Sequence, residues 1–100
     1  MREQQRRNER LNALESLDLR NRFETEAQTL IDDSLSLQGS QAIGATQKHR
    51  EAVAALARKY AEQATSDAVR DHFNEASSRV ILASVNQIAS HERQQTHAAM

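Results

Sequence analysis

The chain has no proline and only two glycines among its 100 residues, and both glycines fall between positions 39 and 44. A β-sandwich or barrel needs turn residues every ~8–12 positions, so neither architecture fits. A phosphate-cradling loop needs several glycines in close spacing, which removes the common nucleotide-binding folds. What remains is an all-α chain: two to three helices forming a helical hairpin or small bundle, read as one domain over residues 1–100.

Apolar spacing places the helices. The first stretch runs from near Arg2 to about Leu37. At about 100° per residue, Leu11, Leu14 and Leu17 share one face, while Phe23, Ala27, Leu30 and Ile31 share another that is roughly opposite. The switch at Ser16–Leu19 predicts a break or bend, with residues 1–17 a mobile or separate basic helix. Gly39 suits the left-handed position just past a helix C-terminus, and Ser40 can cap the next helix. The second helix is expected over about 42–63. It carries a stripe of Ala45, His49, Ala52, Val53, Leu56 and Tyr60, and a small-residue face of Ala54, Ala57 and Ala61. Thr65-Ser66-Asp67 reads as an N-cap cluster. The third helix is expected from there to about Glu92, with 93–100 as a frayed tail.

The core inventory is thin. Sixteen of the 38 hydrophobic residues are alanine. Along the third helix, Val80, Ile81 and Leu82 point in three directions, and Val85 and Ile88 widen the apolar circumference. A two-helix hairpin cannot cover all of that surface. The bundle is therefore expected to be completed by oligomerisation or by a partner. The interface is assigned to Val80, Ile81, Leu82, Val85 and Ile88, with Ala54, Ala57 and Ala61 of the second helix. The expected partners are a second copy of the chain, as a homodimer, or another helical protein.

Chemistry finds little purchase. Cysteine is absent, which removes disulfides, thiol catalysis and Cys-based zinc sites. The four histidines are His49, His72, His91 and His97. Asp71-His72 with Glu75 reverses the Glu-x-x-His order of carboxylate-bridged metal bundles, so no metal and no cofactor is expected. His49 sits on an apolar stripe and is expected to be hydrogen-bonded and partly buried. None of the nine serines lies in a Gly-x-Ser-x-Gly elbow, and three aromatics are too few to line a ligand pocket. The chain is read as a non-enzymatic protein-interaction module: an adaptor, a chaperone-like or secretion partner, or an assembly subunit.

The alternative is a nucleic-acid-associated factor. Arg2, Arg6, Arg7 and Arg10 fall within nine residues and could contact phosphates. Glu3 and Glu9 interrupt them, and the net charge is −1, whereas nucleic-acid domains usually carry a basic excess. Leu37-Gln38-Gly39 lies where the small helical-hairpin secretion partners carry a Trp-x-Gly turn. The tryptophan is missing and no Tyr-x-x-x-Asp/Glu follows the second arm, so that family is not assigned. The polar N-terminus and the short apolar runs predict a cytoplasmic protein, or one exported without a cleavable signal peptide.

Overall fold

The structure, a computed structural model, describes the backbone of residues 2–99 and the side chains of residues 6–97. Three α-helices pack against one another, with no strand among the described residues: α1 (Arg2–Leu35), α2 (Ala45–Ala61) and α3 (Asp67–Ala99). A single 3-10 turn, Gly39–Ala42, lies between α1 and α2.

The turns follow the punctuation in the sequence. Gly39 and Gly44 have φ of +57° and +84°, the left-handed region that a side chain resists. At the second connection the Ser66 hydroxyl accepts the Val69 N–H at 3.2 Å, an N-cap that starts α3.

Register follows from long-range contacts. Lys59 of α2 pairs with Glu26 of α1 at 3.7 Å, and Thr65 lies against Glu15. His49 of α2 meets Ser84 of α3. Thus α2 is antiparallel to both long helices, and α3 runs parallel to α1. Leu19, Phe23 and Ala27 of α1, Val53, Ala57 and Tyr60 of α2, and Val69 and Phe73 of α3 form the main core cluster. Ile31, Ala45 and Ile88 form a second cluster near the glycine turn. The fourfold spacing 19-23-27-31 keeps one narrow stripe of α1 inside the bundle.

Three boundaries differ from the sequence reading. The α1 helix is continuous, with no break at Ser16–Leu19 and no separate helix over 1–17. Nothing in that stretch removes a backbone donor. The apolar face changes there because the neighbours change: before Glu15, α1 runs past the α2–α3 connection. The helix α2 begins at Ala45, since the 3-10 turn takes the preceding residues, and its N-cap is Gly44 without a side-chain cap of its own. Ser40 lies inside the 3-10 turn and does not cap α2. The helix α3 runs on past residue 93, to Ala99.

The last difference has a cause in α3. The Gln95 side chain accepts the Gly39 N–H at 2.9 Å. The His91 ring donates to the Leu37 carbonyl across 2.7 Å. Glu92 accepts the N–H groups of Thr46 at 2.8 Å and Gly44 at 3.2 Å. One turn of α3 thus ties down the whole α1–α2 connection. Glu92 also puts a carboxylate at the N-terminus of α2, where unpaired N–H groups and the helix dipole favour negative charge. The Thr46 hydroxyl and N–H, with Gly44 N–H, hold its carboxyl below the usual carboxylate range. Replacing Glu92 with alanine is expected to lower stability by about 1 kcal/mol, as loss of a cap does. The penalty should shrink as pH falls through the acid range, because the wild type then loses the same charge. Urea midpoints at pH 7 and pH 3.5 check both statements.

Candidate interaction surface

The Leu11, Leu14 and Leu17 side chains are 57%, 58% and 44% exposed. They occupy successive turns of α1 just before and beside the point where Glu15 meets Thr65. Leu14 lies 180° around the helix from Phe23 at 100° per residue, so Leu14 faces directly away from the bundle, with Leu11 and Leu17 about 60° to either side of it. Glu15 fixes this point of departure. Its carboxylate accepts both the hydroxyl and the N–H of Thr65, the latter at 2.8 Å, and these bonds hold its carboxyl below the ordinary range. Before it, α1 carries Arg6, Arg7 and Arg10, all exposed. Arg2 has its side chain outside the described residues.

Beside the stripe a groove of about 620 Å³ opens between α1 and α3. Leu17, Ala13, Ala68 and Ala76 supply its apolar part, with Arg20, His72, Glu75 and Arg79 on its walls. Glu75 and Arg79 pair with each other at 2.9 Å along α3, and His72 is exposed. Among the described residues, no group of three or more histidine or acidic side chains is placed to hold a metal ion. No helix among them is long and apolar enough to cross a membrane.

The interface assigned from sequence meets a different fate. Val85, Ile88 and Ala57 are buried inside the chain itself, so they are not available to a partner. Val80 and Ile81 are half-buried and pack on the main core. Ala54 and Ala61 are half-buried as well. Of that set only Leu82 stands out, at 64% exposed. The broad apolar circumference of α3 is covered from within, because α1 and α2 both lie along it. The leucine face of α1 was legible as a face from its spacing. That it stays open follows only once the register of α1 against α2 and α3 is known.

The chain does contain one buried serine–histidine pair. His49 Nε2 lies 3.0 Å from Ser84 Oγ, and Ser84 Oγ donates to the Ile81 carbonyl at 3.0 Å. The serine proton is thus committed to backbone, and both residues are buried. The pair has the composition of a nucleophile and base but neither the free hydroxyl nor the access that nucleophilic catalysis needs. Its role is to join α2 to α3.

Comparison of the chain with protein-family models, with curated proteins and with solved structures gives no significant match.

Proposed function

We propose that the protein is a non-enzymatic helical interaction module that receives another helix on the outward face of α1. The observation that carries this reading is the run of three half-exposed leucines, Leu11, Leu14 and Leu17, on the side of α1 opposite the core. A helix-in-groove partner seats apolar anchors that recur about once per helical turn, and the α1–α3 groove lies beside these three.

Two variants test it. Leu14→Asp and Leu82→Asp both replace exposed leucines, so both are expected to keep the helical signal and shift the unfolding midpoint by less than about 0.5 kcal/mol. Proteins captured by the wild-type chain from its native host should be lost with Leu14→Asp and retained with Leu82→Asp. The reading fails if binding is instead to duplex or single-stranded nucleic acid, falls steeply with salt, depends on Arg6, Arg7 and Arg10, and ignores Leu14→Asp.

A further inference from the structure

We propose that the glycine-turn end of the bundle is a clasped unit, which opens as a whole while the aromatic core stays closed. The unit comprises the α1–α2 connection, the first turn of α2 and the stretch of α3 from Ile88 to Gln95. Its opening involves neither the leucine face of α1 nor the α1–α3 groove.

The buried apolar side chains fall into two separate groups. The main cluster contains Phe23, Val53, Tyr60, Val69 and Phe73. The cluster at the glycine turn has only Ile31, Ala45 and Ile88, with Leu35 and Leu37 packed against it. Apolar burial is the chief term that keeps a domain closed. The glycine-turn end has far less of it, and regions with few buried apolar contacts open first.

A polar layer divides the two groups. On α2, His49 stands midway between Ala45 of one cluster and Val53 of the other. On α3, Ser84 stands between Ile81, which packs on the main cluster, and Ile88. The two side chains meet at 3.0 Å in this buried layer, and His49 Nδ1 has no partner there. A buried polar layer with one group unpaired holds its neighbours less firmly than apolar packing does. It therefore marks the joint at which the end parts from the core.

The connection has little of its own to hold it shut. Neither Gln38, at the start of the 3-10 turn, nor Gly44, at the start of α2, supplies a side-chain cap. Among the described residues, the side chains that bond its backbone all come from one turn of α3. His91 bonds Leu37, Glu92 bonds Gly44 and Thr46, and Gln95 bonds Gly39. Carried on a single turn, these side chains engage and disengage together. Gly39 and Gly44 have open space where a Cβ would stand, so no packed neighbour resists their movement. Opening lifts the connection off α3 and bares Ile31, Leu35, Leu37 and Ile88 as one apolar surface.

Amide hydrogen exchange of the full chain, followed residue by residue by NMR at pH 7, tests the unit. In the wild type, the Gly39, Gly44 and Thr46 amides should exchange through one opening, at least about tenfold more readily than those of Val53 and Phe73. Glu92→Ala removes the partner of Gly44 and Thr46 alone. Loss of that cap should accelerate both about fivefold, and Gly39, whose own partner Gln95 is intact, should accelerate by the same factor. Acceleration confined to Gly44 and Thr46 would mean that the bonds break one at a time, which overturns the unit. Phe23→Leu supplies the converse, because it weakens the main core. The Val53 and Phe73 amides should accelerate about tenfold, while Gly39 and Thr46 stay within about twofold of wild type, since the core is intact in the open form. If Gly39 and Thr46 follow the core amides instead, the end opens only when the whole bundle unfolds, and the proposal fails.

Discussion

Replacing Phe23 or Phe73 with alanine is expected to cost about 3–5 kcal/mol, the usual loss for a buried phenylalanine. Both rings are fully buried, and they meet edge to face with centroids 5.7 Å apart and planes at 88°. This pair joins α1 to α3 at the middle of the main core cluster. A domain of this size has a total stability of about 5–15 kcal/mol, and its core is rich in alanine. Either substitution therefore removes a large share of what holds the bundle together. Chemical denaturation should show the midpoint falling sharply with little change in slope. Phe23→Leu, which keeps most of the volume, should cost less than half as much. The double alanine variant should lose less than the sum of the singles, since the ring–ring contact, about 0.5–1.5 kcal/mol for such pairs, is counted in both.

The dependence on one aromatic pair explains why the helices were readable and their packing less so. Gly39, Gly44 and Ser66 mark turns through backbone chemistry that acts locally. The connections fall where these residues stand. The stripe Phe23–Ala27–Ile31 is likewise a local pattern, and it is the buried face of α1. The features that escaped notice act between residues far apart in the chain. Glu92 reaches Thr46, Gln95 reaches Gly39, and Glu15 reaches Thr65, each across 46 or more positions. No short window contains both partners, so no spacing rule reveals them. The burial of Val85 and Ile88 within the chain has the same origin. Val85 and Ile88 need an apolar cover, and sequence pattern does not say whether the cover comes from the same chain. Here α1 and α2 provide it. The surplus apolar surface moves to Leu11 and Leu14, where α1 outruns its neighbours, and to Leu17 beside the α1–α3 groove.

The second large effect concerns pH. Stability is expected to hold steady above about pH 6.5, the ordinary histidine value, and to fall as the solution is acidified below it. The cause is His49, buried between α2 and α3. Because Ser84 donates its proton to the Ile81 carbonyl, His49 must carry its own proton on Nε2 and donate it to Ser84 Oγ. Nδ1 is then a bare acceptor, buried and without a partner. Protonating it would place a charge and an unpaired N–H in apolar surroundings. Burial accordingly pushes the His49 pKa down. Between the ordinary value and the depressed one, the unfolded chain takes up a proton that the native chain refuses. That difference favours unfolding by up to about 1.4 kcal/mol per pH unit. The carboxylates of Glu15 and Glu92 are held low, so their losses begin only at more acid pH and leave the window near pH 5–6.5 to histidine. His49→Leu should flatten the slope in that window in urea titrations. Ser84→Ala should lower stability by about 1–3 kcal/mol at pH 7.5, the cost of leaving the buried Nε2–H unpaired. A His49→Leu variant with the wild-type slope would show that the proton is taken up elsewhere.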